Sequence, residues 1–258
     1  FLRPHPPFTV PEPYASLYPE GAGPAPQRHA APEDEVAQHP LLRLLQGMQT
    51  LDSFVPGAAG RVRDLGDGDF ARIRALYHGL ITEVDAQLGR IFDTLRARGA
   101  WGDTVVVFTS DHGEMMGDHR MLGKGGYFPQ SYHIPLVIKR PGAATRARVE
   151  AFTSAADVFP TLADMLGVTP RNAVDGRSLV PFLRGTAPLG WRDAALWECD
   201  FRQVLDIAAL GLAPEDCVVQ CRMDRETLYV ASPAWGAALY DLGGGSGMPA
   251  QPCGGSRV

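Results

Sequence analysis

The 258-residue chain lacks the features that mark membrane, secreted and nucleic-acid-binding proteins. No apolar run approaches the ~20 residues that a membrane-spanning helix needs, and no basic segment followed by an apolar one indicates a signal peptide. The net charge is −5 and no basic run stands out. We therefore expect neither a membrane nor a nucleic acid as partner. Because the first residue is Phe1 rather than Met, export stays undecided.

Cysteine is scarce, with four residues, and no C-x-x-C pair indicates a zinc site. Cys217 and Cys221 lie four positions apart in an expected strand, which separates them by about 13 Å at the usual rise per residue. That distance is too long for a disulfide. Thiols scattered in this way favour the reducing cytoplasm as the compartment.

Apolar periodicity, by contrast, is plain. The apolar fraction of 45% suffices for a core in one large domain or two small ones. The clearest helix is predicted over 70–98, where apolar residues keep spacings of three and four, with Asp69 as its cap and Gly99 at its end. After a short turn, the β-branched run 104–109 predicts a strand buried on both faces. Helix, turn and strand together indicate an α/β unit.

The remaining segments are assigned from proline content and alternation. The proline-rich arm 1–32 is expected to dock on the core through apolar anchors that include Phe1, Leu2 and Phe8. The other predicted elements are a helix over 33–51 interrupted near Pro40, strands at 136–139, 149–153, 195–197, 218–223, 227–231 and 238–240, and helices at 157–167 and 204–210. We expect the strands at 218–223 and 227–231 to pair as a hairpin.

The predicted strand at 104–109 ends in the tetrapeptide 110–113, Ser-Asp-His-Gly. Ligand crevices in open α/β sheets lie at the carboxyl ends of strands. Asp111 and His112 suit a divalent cation, and Lys124, between glycines, suits an anion. The pattern predicts a site for an oxyanion ester. The alternatives are a turn with a helix cap for the Asp-His pair and a solvated loop residue for the lysine.

The sequences of these segments resemble motifs of the sulfatase family, within the alkaline phosphatase superfamily. The similar stretches are FTSDHGEMMGDH, LGKGGYF and SYHIPLVIKRPG, together with FLRPHPPFTVPEPYASLYP at the start of the chain. They are closer to the phosphonate monoester hydrolase and arylsulfatase branch than to lysosomal-type sulfatases. The resemblance runs from Phe1 to about Leu242.

The resemblance implies an α/β fold in which 1–185 forms the second half of an alkaline-phosphatase-like sandwich domain. Residues 186–242 would form a small, partly antiparallel C-terminal subdomain. The family's pattern stops near Leu242, and we interpret 243–258 as a disordered or aberrant tail because it has almost no apolar content.

The resemblance also assigns roles. Asp111 and His112 would bind one divalent metal, Ca²⁺, Mg²⁺ or Mn²⁺. Lys124 would bind the substrate oxyanion and stabilise its charge. His5 would face the oxyanion or protonate the leaving group, a role that suits an imidazole. Without the resemblance, an isolated histidine in a proline-rich arm is more often a surface or packing residue.

Other polar residues near these motifs are expected to be structural. We predict turn-stabilising roles for Asp118 and His119, a packed core position for His133, and a loop position for Glu114. Glu83, on the long helix, is expected on a solvated face.

The family's nucleophile is a formylglycine made from cysteine or serine within C-x-P-x-R or S-x-P-x-R, and neither pattern occurs here. The family's first metal-binding aspartates are also absent. We expect both upstream of Phe1, so that this chain is the second half of a hydrolase of sulfate, phosphonate or phosphate esters and is inactive alone. The substrate would be a small anionic ester, and the oligomeric state is open between monomer and homo-oligomer.

Two alternatives to this function were considered. One is a non-catalytic sulfatase-like module that keeps the fold and weak metal binding. The other is a superfamily branch that uses Thr or Ser on two zinc ions, whose further His and Asp ligands we do not find at suitable spacings.

Overall fold

The computed structural model describes residues 1–142, 147–202 and 204–243. The described chain divides into two compact units. The N-terminal unit comprises 1–142 and 201–212, and the C-terminal unit comprises the described parts of 143–200 and 213–258. The predicted domain boundary at 185 stays a prediction. The predicted tail lies, from residue 244 onward, outside the described residues.

The N-terminal unit contains four α-helices and a pair of strands. In chain order these are α1 (Pro32–Ala37), α2 (Pro40–Met48), α3 (Asp67–Ala97), β1 (Val106–Thr109), α4 (Pro129–Tyr132) and β2 (Leu136–Lys139). Short 3₁₀ turns lie at Tyr14–Ser16, Leu51–Ser53, Val62–Asp64 and Asp118–Arg120. The predicted interruption near Pro40 is therefore confirmed, because α1 ends and α2 begins there.

The long helix α3 was predicted almost to its ends. It begins at Asp67, where the Asp69 carboxylate accepts the Gly66 amide at 2.9 Å, and it stops before Gly99, whose φ is 66°. Its buried face carries Phe70, Ile73 and Leu80, as the spacing predicts. Among the described residues, no helix has both the length and the apolar character needed to cross a bilayer.

The proline-rich arm enters the core of the N-terminal unit through one side chain. Phe8 is 4% exposed, its ring lies 6.2 Å from that of Phe54, and its amide donates to the Phe54 carbonyl at 2.8 Å. Phe1 and Leu2 are exposed, so the prediction that they anchor the arm was wrong. The rest of the core cluster is Val62, Phe70, Ile73, Leu80, Met116 and Leu122.

The strands β1 and β2 pair antiparallel, with Val106 opposite Lys139 and Thr109 opposite Leu136. The prediction that the first strand is buried on both faces was wrong, because Phe108 is 40% exposed and Thr109 is also exposed. A β-branched run favours a strand, but burial needs layers on both faces of the sheet. This sheet has two strands among the described residues.

The C-terminal unit contains two helices and a four-stranded antiparallel meander. Its elements are α5 (Val158–Met165), α6 (Val180–Leu183), β3 (Ala195–Asp200), β4 (Val218–Met223), β5 (Thr227–Ser232) and β6 (Gly236–Asp241). The predicted hairpin is confirmed, because β4 pairs with β5 from Gln220 opposite Ala231 to Met223 opposite Leu228.

Two predicted elements did not form. The segment 149–153 is not a strand, and the Phe152 carbonyl accepts the Trp191 indole N–H at 2.8 Å instead of a ladder bond. The segment 204–210, whose described residues belong to the N-terminal unit, forms turns rather than a helix. There the Asp206 carboxylate accepts the Ala209 amide, a local bond that competes with helical hydrogen bonding.

A buried ion pair stabilises the C-terminal unit. The Asp157 carboxylate is inaccessible to solvent and accepts both Arg192 guanidinium nitrogens, at 2.5 and 2.7 Å. It also accepts the amides of Ser154, as a cap of the following helix, and of Arg177. Burial alone would raise the pKa of Asp157, but Arg192 and the two amides together hold it below its ordinary value.

We predict that Arg192→Leu lowers the free energy of unfolding by roughly 3–5 kcal/mol at neutral pH, because it leaves a buried carboxylate without its counter-charge. The measurement is urea unfolding monitored by circular dichroism. Arg184→Leu, on an exposed arginine just beyond α6, is the matched control and should change little.

The same pair predicts a pH dependence. Since the folded-state pKa of Asp157 is depressed, its stabilisation is present above the unfolded value of about 3.9 and is lost as pH falls through the folded value. The stability difference between the natural protein and Asp157→Asn should therefore shrink as pH falls below about 4. A difference that grows on acidification would contradict this assignment.

Candidate active site

The site begins where β1 ends. Asp111 and His112 follow this strand, and the Asp111 Oδ2 and His112 Nε2 atoms are 3.6 Å apart. The His112 Nδ1 atom lies 2.8 Å from the Gly113 carbonyl. A carbonyl can only accept, so Nδ1 carries a proton and donates to it, and Nε2 faces the carboxylate. The Ser110 hydroxyl, which donates to the His112 carbonyl at 2.7 Å, braces this turn.

The Asp111–His112 pair fits two ligands of one cation. Ligand atoms about 2.3–2.6 Å from Ca²⁺ and at right angles to each other are about 3.3–3.7 Å apart, which matches the observed separation of 3.6 Å. The described residues contain no cluster of three or more His, Cys, Asp or Glu side chains that could hold a metal. Metal binding by this pair alone would leave a coordination shell incomplete within the described residues.

His5 lies beside this pair. Its ring centroid is 6.0 Å from that of His112, and the two rings meet edge to face. Its Nδ1 atom is 2.7 Å from the Pro6 carbonyl, so Nδ1 donates there and Nε2 is left for other partners. The side chain is exposed, as a group that meets a substrate must be.

The arm around His5 is held by an ion pair that the sequence did not reveal. The Arg3 guanidinium donates to the Glu83 carboxylate on α3 at 2.8 Å and to the Thr9 carbonyl at 2.6 Å. The expectation that Glu83 sits on a solvated face was therefore wrong, since its side chain is 21% exposed and is paired. Amphipathic spacing places a residue beside the buried face of a helix, but it cannot reveal that an arm from elsewhere covers that position.

Lys124 is exposed and its charge acts on the same region. Slight burial raises the pKa of Asp111, but its own backbone amide, His112 and the Lys124 ammonium together lower it. Burial is the largest influence on Glu114 and raises its pKa to about 7, against the Gly123 amide and Lys124, which both lower it. Lys124 thus acts electrostatically on two carboxylates, those of Asp111 and Glu114.

The loop that links the Asp111–His112 pair to Lys124 folds back on itself. Main-chain bonds join Met115 to Gly123 and Gly117 to Met121, each at 2.8 Å. The Glu114 carboxylate accepts the Gly123 amide, in agreement with its predicted loop position. The ladder brings the two ends of the loop side by side, so residues 12 to 13 positions apart can act on one ligand.

Gly113 is needed for a close approach. Its φ is not positive, so the reason for glycine here is space rather than backbone conformation. A Cβ atom there would lie 1.9 Å from the Gln130 carbonyl oxygen. The Gly113 amide instead donates to the Ser131 carbonyl at 2.8 Å, and the Ser131 hydroxyl accepts the Gly125 amide at 3.2 Å. Ser131 therefore contacts both ends of the loop.

Two glutamines near the end of α2 hold the middle of the loop. The Gln49 side chain donates to the Leu122 carbonyl at 2.6 Å and accepts the Leu122 amide at 3.1 Å. The Gln46 side chain is buried and donates to the His119 carbonyl at 2.9 Å. Sequence reasoning missed both glutamines. The available signal was two amide side chains three residues apart near the end of an apolar helix, where buried polar groups require partners.

The predicted structural role of the 118–119 pair agrees with the contacts observed. His119 is buried, its Nδ1 atom is 2.6 Å from the Glu35 carboxylate, and its ring stacks on Phe128 with 3.4 Å between centroids. Asp118 accepts the Gln27 amide at 2.9 Å. His133, predicted to be packed in the core, is exposed instead because it follows the short helix α4, before β2 begins.

The chain is similar to known proteins over most of its length. The Sulfatase family matches residues 1–168. The multifunctional alkaline phosphatase superfamily protein PehA of Trinickia caryophylli is 42% identical over 247 residues, which are 94% of this chain and 48% of that protein. Arylsulfatase K of Danio rerio is 37% identical over 115 residues, 45% of this chain and 22% of its own length.

Two solved structures are similar over most of the chain. The phosphonate monoester hydrolase of Agrobacterium radiobacter has a TM-score of 0.90 and 51% identity, over 94% of this chain and 49% of its own. The enzyme SpPMH of Silicibacter pomeroyi, also a phosphonate monoester hydrolase, has a TM-score of 0.86 and 38% identity over 94% of this chain and 48% of its own. The chain thus spans about half the length of PehA and of these two structures.

The chain belongs to the sulfatase family, within the alkaline phosphatase superfamily. Its fold is the α/β fold predicted from the resemblance, and both solved structures described above are phosphonate monoester hydrolases. The roles of His5, Asp111, His112 and Lys124 remain predictions.

We predict that Gln49→Met loosens the loop without unfolding the chain. The variant removes both bonds to the Leu122 main chain, each worth about 1 kcal/mol. Hydrogen exchange of the amides at 122–123 should become about tenfold faster or more. The control is Gln87→Met, which removes a hydrogen bond between Gln87 and Arg90 within α3. It should leave the exchange at 122–123 unchanged.

Proposed function

We propose that this chain contributes the metal-binding and anion-binding half of an enzyme that hydrolyses sulfate or phosphonate esters. The observation that supports this most directly is the 3.6 Å separation of the Asp111 carboxylate and the His112 Nε2 atom, beside His5 and within the electrostatic reach of Lys124. A metal next to a lysine suits a tetrahedral anion.

Asp111 and His112 would hold one hard divalent cation. The carboxylate supplies a charged oxygen and the imidazole a neutral nitrogen, whose tautomer is set by the Gly113 carbonyl. When bound, such a cation polarises the ester oxygens and favours a nucleophile at neutral pH. The coordination shell would be completed by groups other than the described residues, among which no cluster of three His, Cys, Asp or Glu side chains occurs.

Lys124 and His5 would act on the two ends of the reacting ester. The Lys124 ammonium neutralises charge that builds up on the non-bridging oxygens of the sulfuryl or phosphoryl group. His5, with its Nδ1–H kept on the Pro6 carbonyl, would deliver a proton from Nε2 to the departing alkoxide. Its exposure allows the leaving group to reach it.

The nucleophile is proposed to come from outside this chain, because neither C-x-P-x-R nor S-x-P-x-R occurs in it. In that case a formylglycine supplies the attacking oxygen when the site is whole. This chain alone should then show little or no turnover. Family-level hydrolysis of a model ester by the 258 residues with added metal would contradict the proposal.

Of the two ester classes, phosphonate monoesters are favoured. The phosphonate monoester hydrolase of A. radiobacter is 51% identical over 94% of this chain, whereas arylsulfatase K of D. rerio matches 45% of it. The second candidate function is a non-catalytic sulfatase-like module. It is worth testing because the described residues do not contain a complete set of metal ligands.

A chimera tests the proposed activity. Residues 1–242 of this chain would replace the matching part of the A. radiobacter enzyme, and hydrolysis of a phenyl phosphonate monoester and of p-nitrophenyl sulfate would be measured. We expect turnover of the phosphonate ester. Lys124→Ala should lower kcat/KM by about 10²–10³, the usual loss for a donor to developing charge.

Arg43→Ala is the matched control for the chimera. It removes one cationic side chain from an exposed position on α2 and should leave kcat/KM unchanged. If the chimera folds but is inactive, or if Lys124→Ala acts no more strongly than Arg43→Ala, the proposed enzyme function is refuted and the non-catalytic module is favoured.

Metal binding can be tested on this chain without turnover. We expect Mn²⁺ to bind weakly, because two ligands are present, and to broaden the NMR signals of residues 110–113. Asp111→Asn should weaken binding by about tenfold or more, since it removes the charged ligand. Asp103→Asn, at an exposed turn before β1, is the control. Equal Mn²⁺ affinities of the two variants would contradict the ligand assignment.

A further inference from the structure

A cavity lies in the N-terminal unit, and it is separate from the four candidate residues. Its volume is about 640 Å³, and neither His5, Asp111, His112 nor Lys124 lines it. One wall is the uncharged segment 21–26, with the sequence GAGPAP. The other walls are the residues 28–30, one face of the first turns of α3, and Arg120.

Three guanidinium groups line this cavity. Arg28 comes from the arm, Arg74 from α3, and Arg120 from the loop after β1. On α3, the residues Asp67, Ala71 and Arg74 lie at spacings of four and three and so share one face of the helix. The cationic residues are thus brought together from three separate segments.

The charges of the cavity do not balance. Arg74 lies 3.5 Å from the Asp118 carboxylate and donates to the Met116 carbonyl at 2.9 Å. Arg28 is paired with Asp67. Arg120 donates to the carbonyls of 29 and 30, at 3.3 and 2.8 Å, and makes no ion pair with a carboxylate among the described residues. Three guanidinium groups therefore meet two carboxylates, in a chain whose net charge is −5.

Two donors of these groups are left unused. The Arg28 Nη1 and Arg120 Nε atoms are enclosed by protein and have no hydrogen-bond acceptor. An enclosed donor without an acceptor costs about 1–3 kcal/mol, and such groups are rare in folded proteins. Guanidinium donors favour the oxygens of carboxylate, phosphate and sulfate groups.

Asp67 and Asp118, the two carboxylates paired with these arginines, differ in solvent exposure. The Asp67 side chain is 92% exposed, whereas that of Asp118 is 15% exposed. An exposed ion pair contributes little, about 0–1 kcal/mol. Asp67 can therefore leave Arg28 at low cost when a stronger acceptor arrives, and it serves as an internal competitor for that guanidinium.

We propose that this cavity binds a tetrahedral oxyanion carried by a small organic group, as in a phosphate or sulfate monoester. Arg28 and Arg120 receive the oxyanion, and the ligand displaces the carboxylate of Asp67. Small readjustments of the two guanidinium groups bring their unused donors to its oxygens. The organic group lies against the alanine and proline side chains of 22–26. The volume exceeds what a bare anion fills, which is why an ester rather than an inorganic ion is inferred.

The test uses the full chain and two probes, phenyl phosphate and phenyl sulfate, with inorganic phosphate for comparison. Amide NMR shifts are followed separately for 21–30 and for 123–126, so that binding at the cavity and at the Lys124 loop give separate Kd values. Failure of the proposed function would appear in the second set of shifts and failure of this inference in the first.

Two variants are expected to change the cavity affinity in opposite directions. Arg120→Gln should weaken binding about tenfold or more, because it removes the cation that no carboxylate neutralises. Asp67→Asn should strengthen binding several-fold, because it removes the internal competitor. Arg43→Gln, at an exposed site on α2, should leave the affinity unchanged. Circular dichroism verifies that each variant is folded, and Arg120→Lys, which keeps the charge, should fall between Arg120→Gln and the natural protein.

The probes identify the ligand class. Phenyl phosphate binding that exceeds phenyl sulfate binding assigns a phosphate ester, and the reverse assigns a sulfate ester. Inorganic phosphate that binds as tightly as either ester overturns the inferred contact of the organic group. Absence of shifts at 21–30 with every probe, or an unchanged affinity in both Arg120→Gln and Asp67→Asn, overturns the site itself.

Discussion

The main-chain ladder between Met115 and Gly123 is the interaction on which the candidate site depends. It closes the loop that starts at the end of β1 and keeps Lys124 within electrostatic reach of Asp111. Gln49, just after α2, and Ser131, in α4, bond to the main chain of the same loop. The candidate side chains thus rest on a well-bonded main chain, which would lower the conformational entropy lost if an anion binds.

Local charge, rather than net charge, suits this protein to anions. The chain as a whole carries −5, which repels an anionic ester at long range. Screening limits that repulsion to about 10 Å at 0.1 M salt. An anion that comes closer than this meets positive local charge at two places. One is Lys124 in the loop after β1, and the other is the cavity lined by Arg28 and Arg120. On these proposals, anion recognition would depend on short segments and would leave the rest of the surface free to be acidic.

Sequence reasoning predicted the elements whose signal is local. The bounds of α3, the hairpin of β4 and β5 and the order of the site motifs follow from periodicity and from resemblance to the sulfatase family. Prediction from the sequence failed where the environment of a residue depends on a segment far away in the chain. Glu83 pairs with an arm residue 80 positions away, and β1 has exposed side chains because burial depends on neighbouring layers. The clamp from Gln49 to Leu122 spans 73 positions, and although the amide side chains suggest buried polar groups, a single sequence does not identify their partner.

The buried ring of Phe8 ties the fate of His5 to that of the hydrophobic core. Two prolines separate His5, which is proposed to donate a proton, from Phe8, whose ring packs against those of Phe54 and Tyr77. Removal of the Phe8 ring would therefore leave a cavity in the core and, at the same time, loosen the segment that positions His5. Loss of stability and loss of the geometry around His5 would then occur together.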